Sequence, residues 1–323
     1  AARRRWRGRS LGALALRNMA DNPRRSLLVV GLLAGATFVV VAVAANARDV
    51  LRADPRHSPA TGGFSLRAVS AAPLAYDLST PPGRENLGFS AEDEAIMARC
   101  VVMPFFVSPG EDVSCLNLSR PQSPRLLGVT DAMIKRDGFR LSGSKAWTAL
   151  AGSASPSVPA FGDADTVRWT LHSAPGKVYE THDAHGRPLQ LEFVGLIHGG
   201  LFARELLIHE SAFRRLYPSV SGYSYFLIET PQGQEQAVAE VLRRNLGDYG
   251  LQVRTTAEAI AEVMSVQNTY LSIFLALGGL GLLLGTVGLV AVIVRGALER
   301  RQELALLLAT GFDGLRVARL LIM

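Results

Sequence analysis

Six histidines, two cysteines and several close acidic pairs are the residues of this sequence able to ligate, attack or transfer protons. His182 and His185, with His172 and His198 not far off, have metal-ligating side chains, but "THDAHGR" is dense in turn formers and reads as an exposed hairpin tip. Asp163 and Asp165 could approach a calcium ion, although a helix N-cap accounts for Asp163 with less. His209–Glu210 opens a zinc-protease pattern that fails at Phe213, where the second histidine would stand. Gly8-Arg9-Ser10-Leu11-Gly12 matches G-x-S-x-G literally, yet it lies in a basic leader with no strand before it. Gly176–Lys177 lacks the rest of a phosphate loop, and no G-x-x-x-x-G-K-[ST] occurs. Cys100 and Cys115 leave both a disulfide and two separate thiols open. Trp147, Trp169 and the Met103–Phe106 "MPFF" are assigned to packing. No catalytic set, cofactor-binding set or metal site emerges.

The chemistry that remains is electrostatic and positional. "GALERRQELALLLATGF" places Glu299, Arg300, Arg301 and Glu303 directly after a long apolar run, follows them with a leucine row and stops at Gly311. A helix from Ala297 to Thr310 with Gly311 as its C′ residue is expected, with a second beginning near Asp313.

Two apolar segments must position this turn. Ser26 to Ala47 and Leu271 to Val294 carry no charge, and each is long enough to cross ~30 Å of hydrocarbon at about 1.5 Å per residue. Before the first lie eight arginines against Asp21, a net of +7; after the second lie five arginines against Glu299, Glu303 and Asp313, a net of +2. The region between is −3, which closes to the chain's +6. Positive flanks stay inside, so both ends read as cytoplasmic and the middle as extracytoplasmic. The basic balance is therefore a topology signal and not a nucleic-acid footprint. "PRRSLL" followed by Ala-x-Ala triplets offers a cleaved export signal as the alternative, but the apolar run exceeds a 7–15-residue signal core. The start at Ala1 and the end at Met323, where a new apolar run begins, suggest a piece of a longer chain.

The reading divides the chain into a basic leader (1–25), a first span (26–47), an α+β domain (48–268), a second span (269–294) and a cytoplasmic segment that starts a further span (295–323). In the domain, "GFSLRAVS", "RCVVMPFFVS", "YSYFLIET" and "LQVRT" are strands; "AEDEAIMARC" is a short helix; "KVYETH" and "PLQLEFVGLI" pair as a hairpin. "ELLIHESAFRRLYP" runs from strand into helix, "QGQEQAVAEVLRRNLGDYG" is a helix ended by glycine, and "GDADTVRWTL" is read as a helix capped by Asp163. Thr255 and Glu258 form a capping box, and nothing after them breaks a helix before Val294. That helix would be roughly 58 Å long, a stalk that stands well clear of the bilayer. Gly31 and Gly35 form one GxxxG; Gly278, Gly281, Gly285 and Gly288 form a stripe on the second span suited to close helix packing.

"ERRQELALLLATGFDGLRVARLL" resembles the cytoplasmic segment of FtsX-like (MacB-type) ABC transporter permeases, in which a charged turn precedes an E-[IL]-A-L-L-R-A-x-G run. Leu308 departs from that run, which has a basic residue there. "LALRNMADNPRRSLLVVGLLAGA" is similar to the family's leader and first span, and "GEDVSCLNL" with "VPAFGDADTVRWTL" and the stretches after it are similar to its extracytoplasmic domain. The resemblance implies a bacterial inner-membrane fold: two transmembrane helices flanking a MacB-like periplasmic α+β domain, with two more spans usual in the family. It also implies a non-catalytic permease subunit whose partners are an ABC ATPase, which holds ATP and Mg, a second permease copy or related half, the lipid bilayer and an unidentified cargo or periplasmic protein. Glu299, Arg300, Arg301, Glu303 and Gly311 would be the ATPase-coupling residues. The second reading is a two-span sensor that signals through the stalk; an anchored outer enzyme ranks third.

Overall fold

The computed structural model describes residues 23–46, 58–113, 123–142, 146–152, 157–183, 185–299 and 301–309. The literal G-x-S-x-G, Cys115, Arg300 and Gly311 lie outside them. Two compact units result. One comprises 1–48 and 267–323; the other, from Asp49 to Val266, carries the sheet.

In the first unit, helix α1 (Pro23–Asn46) covers the first apolar segment. Two further helices, α7 (Thr256–Glu299) and α8 (Arg301–Ala309), complete its described part, α7 beginning in the second unit. Among the described residues one helix is long and apolar enough to cross a membrane, Thr269–Ala291 within α7, with a mean hydropathy of 2.3 and none of it buried. A surface apolar on all sides over that length is unfavourable in water and suits hydrocarbon.

The second unit is a mixed α+β sheet with its helices on both faces. Its strands are β1 (Leu66–Leu74), β2 (Val101–Val107), β3 (Leu126–Val129), β4 (Leu141–Ser142), β5 (Val158–Asp163), β6 (Val178–His182), β7 (Pro188–Ile197), β8 (Leu206–His209), β9 (Tyr223–Glu229) and β10 (Gln252–Thr255). They run in the order β10-β1-β9-β2-β3-β8-β5-β7-β4, with β6 pairing β7 beyond the end of β4. The ladders from β10 to β3 are antiparallel. The chain leaves that half after β3, builds β4 to β8 as one contiguous block, and returns at β9. A parallel ladder of four residues, Leu126–Val129 beside Leu206–His209, joins the two halves.

Alternation along the strands sorts the core. Leu66, Ala68, Phe226, Ile228 and Val253 face one side, where the amphipathic α6 (Glu235–Leu246) packs with α2 (Pro81–Asn86) and α3 (Ala91–Met97). Phe105, Leu127, Phe161, Leu207, Tyr225 and Leu227 face a second cluster that spans both halves and receives Ala259 and Ile260 from the start of α7. Phe106, Leu126, Phe193, Leu206 and Phe213 form a third cluster with α5 (Glu210–Leu216), while α4 (Asp131–Arg136) follows β3.

Two expectations are corrected. The stretch read as a helix from Asp163 is strand through that residue and then a π-turn, Thr166–Thr170. The wider turn aims Val167 and Leu171 inward and leaves Trp169 67% exposed, so this indole is a surface group and not packing. Trp147, Met103, Phe105 and Phe106 are core as expected. Of the helix expected from Ala297 to Thr310, 297–299 are helical at the end of α7 and Arg301–Ala309 form α8; residues 300 and 310 lie outside the described residues.

Candidate coupling site

The long helix starts where the capping box was expected. Thr255 N–H donates to Glu258 Oε2 at 3.0 Å, and Glu258 N–H donates to Thr255 Oγ1 at 3.1 Å. Reciprocal caps of this kind stabilise a helix start by about 1 kcal/mol. Thr256 fastens the same turn to the sheet: its N–H donates to Ser65 O at 2.9 Å and its Oγ1 to Phe64 O at 2.7 Å. Ala259 and Ile260 are buried in the central core, with Met264 against it. At 44 residues the helix is about 66 Å long.

Its far end carries charged residues. Arg295 Nε donates to Glu299 Oε1 at 2.8 Å, one turn apart and open to solvent. Arg301 is exposed at the start of α8, Glu303 lies within α8, and Leu298, Leu306 and Leu308 are exposed around the turn. The structure thus brings Glu299, Arg301 and Glu303 into two consecutive helical segments with apolar side chains displayed beside them.

Of the helix-packing glycines, Gly278 has a partner. A Cβ there would lie 3.0 Å from Val40 Cγ2 of α1, tighter than an ordinary contact. Gly31, Gly35, Gly281 and Gly288 have nothing within 4 Å of that position, and Gly285 lies on α7 between the last two.

A charged cluster that the sequence reading missed surrounds the second turn of α7. Glu262 Oε1 meets Arg204 at 3.1 Å and Glu262 Oε2 meets Arg254 at 2.7 Å. Arg204 also approaches Asp112 at 3.7 Å. Beneath them Arg67 lies 3.8 Å from the buried Glu205 and over the Tyr225 ring, 5.1 Å from its centroid. Burial pushes the Glu205 carboxyl up from its ordinary value, with Arg67 and Arg125 opposing; burial likewise raises the Tyr225 hydroxyl. Nothing in the spacing of these residues flags them, because they come from separate stretches of chain.

The other sequence candidates take structural places. His209 caps α5, its Nδ1 accepting from Ser211 N–H at 3.2 Å and meeting Ser211 Oγ at 2.7 Å, while Nε2 lies 3.0 Å from Asp131. The backbone amide occupies the ring nitrogen that a nucleophilic pair would need, which marks a cap. Phe213 is core. His182 ends β6, where Asp183 closes the hairpin by accepting from His185 N–H, Arg187 N–H and Arg187 Nε at 2.7–2.9 Å. Asp163 is buried and accepts from Gly200 N–H and Asp165 N–H. Among the described residues no three potential metal ligands come together. Cys100 is a half-buried thiol whose pKa burial raises to about 11, Arg84 opposing.

The chain is similar in structure to the periplasmic region of MacB from Actinobacillus actinomycetemcomitans. The likeness covers 68% of this chain and 98% of that one at 13% identity, with a TM-score of 0.34. It extends to the extracellular domain of the noncanonic ABC-type transporter YknZ from Gram-positive bacteria, over 59% of this chain and 98% of that one, at 12% identity and a TM-score of 0.32. No protein-family model matches the chain, and no curated protein matches its sequence.

Proposed function

We propose that the chain is a permease subunit of an FtsX-like ABC transporter, which couples ATP hydrolysis in a separate ATPase to rearrangement of an extracytoplasmic domain. The observation that carries this reading is the continuity of α7. One uninterrupted helix is pinned to the sheet by Thr256 and Ile260, passes through the apolar Thr269–Ala291 window, and reaches the charged residues Arg295 and Glu299. An element with those three stations passes displacement from one end to the other in this reading.

In this reading α1 and α7 both cross the membrane, the arginine-rich flanks hold both ends in the cytoplasm, and the sheet unit lies outside. Exposed Glu299 and Arg301 and the helix α8, with Arg300, Glu303 and Gly311, dock in a groove of the ATPase, which supplies ATP and Mg. Gly31, Gly35, Gly281, Gly285 and Gly288 receive other membrane helices, from a second permease copy or a related half, while Gly278 packs within the chain. This chain's own role is mechanical and non-catalytic; cargo or a periplasmic partner meets the outer domain.

The test is co-purification of the full-length protein with the ATPase encoded beside it, comparing wild type with a deletion of residues 299–312 and measuring ATPase turnover in both. Loss of association or altered turnover in the deletion is the expected result. Unchanged association and turnover would remove the coupling assignment and bring the two-span sensor forward.

A further inference from the structure

The segment from Gly199 to Glu205 links β7 to β8, and it is tied to both halves of the sheet. Gly200 N–H donates to Asp163 Oδ2 at 2.9 Å and Thr166 Oγ1 donates to Ala203 O at 3.0 Å, which fixes the segment to the end of β5 and the π-turn. Val113 N–H donates to Arg204 O at 3.1 Å. Arg204 then reaches Glu262 on α7, and the other oxygen of the same carboxylate takes Arg254 from β10. Arg204 leads into β8, in the contiguous block; β10 is the edge strand of the antiparallel half. A single carboxylate on the long helix therefore holds one arginine from each half.

The sheet makes that carboxylate necessary. Arg254 stands directly opposite Arg67 in the β1–β10 ladder, and like charges so placed repel. Glu205 answers Arg67 from below and Glu262 answers Arg254 from the helix.

We propose that Glu262 is a releasable clamp through which α7 sets the two halves of the sheet against each other. The contacts of the helix start divide into fixed and reversible ones. Thr256, Ala259 and Ile260 are buried, and unseating them would open the core. Glu262, Arg204 and Arg254 keep 41%, 23% and 52% of their side-chain surface in solvent, where ion pairs are weak and screened by salt. A small rotation of α7 about its buried first turn swings Glu262, on the second turn, off one arginine while Ile260 stays seated. Losing Arg204 loosens the segment that feeds β8, which then keeps only its bonds to Asp163, Thr166 and Val113; losing Arg254 loosens the edge strand, which then keeps only its ladder with β1. The clamp rests on the transporter reading only for what turns the helix.

Hydrogen exchange on the full-length protein in lipid nanodiscs, read by mass spectrometry, tests it. Glu262→Gln accelerates exchange in 199–209 and 252–255 by roughly three- to tenfold and leaves β9 unchanged. Raising salt to about 1 M does the same to wild type and adds little to the variant. The reversed pair Glu262→Arg with Arg254→Glu restores slow exchange in 252–255 and not in 199–209, where Arg204 then faces a like charge. Equal acceleration in every strand, or no acceleration in either segment, overturns the clamp. Glu262→Gln leaves 299–312 untouched, so it retains ATPase association wherever wild type shows it. Absence of that association in wild type sinks the transporter reading and leaves the exchange result to stand by itself.

Discussion

Two carboxylates four residues apart on α7 show what a sequence discloses. Glu258 is legible because its partner, Thr255, is three residues away and the box is a local device. Glu262 is not, because its arginines lie 8 and 58 residues off and only the fold brings them together. Asp183 falls between the cases. The turn was legible, but not the three hydrogen bonds that make its carboxylate the turn's centre. Burial alone would raise that carboxyl; the Arg187 N–H, the Arg187 guanidinium and the His185 N–H outweigh it and hold it below the ordinary value of 3.8. Because the folded-state pKa is depressed, the stabilisation is full above the ordinary value and disappears as pH falls through the folded one. Asp183→Ala should cost about 1–3 kcal/mol at pH 7, seen as a lower unfolding midpoint in detergent, with the gap to wild type closing in strong acid. An equal gap at pH 7 and pH 2 would show that the charge is irrelevant.

At the scale of elements, strands and helices with local signals are where the sequence puts them: the β6–β7 hairpin, the β8–α5 run, α6 with its terminal glycines and the long α7. The π-turn is missed because Asp163 reads as a helix cap and no spacing separates a π-turn from an α-helical one; Val167 and Leu171 pack inward from it. The parallel β3–β8 ladder is missed for another reason, since pairing of strands distant in sequence leaves no periodic trace. The glycine stripe is legible as a stripe, but its use is not uniform. Gly278 meets Val40 of α1. Gly278→Leu should therefore push α1 from α7 and lower the melting temperature of the detergent-solubilised chain by several degrees, with Gly281→Leu as the comparison. A larger loss from Gly281→Leu would mean that the α1–α7 contact lies on a different face of the helix.

For the whole molecule, the proposed reading of the flanking charges predicts one orientation. In a background lacking Cys100 and Cys115, a membrane-impermeant maleimide should label Glu180→Cys in intact cells, and Gln302→Cys only after permeabilisation. The opposite pattern would invert the reading of the arginine-rich leader. The contiguous block from α4 to α5 leaves the antiparallel half after β3 and rejoins it at β9, while the hydrogen bonds that start α7 draw on Phe64, Ser65 and Thr255 outside that block. Such a layout behaves as a cassette. In the proposed permease reading its distal loops and hairpin can lengthen, shorten or be exchanged while the hydrogen bonds that start α7 stay as they are, so one drive mechanism would be fitted to many cargoes by changing a single stretch of gene.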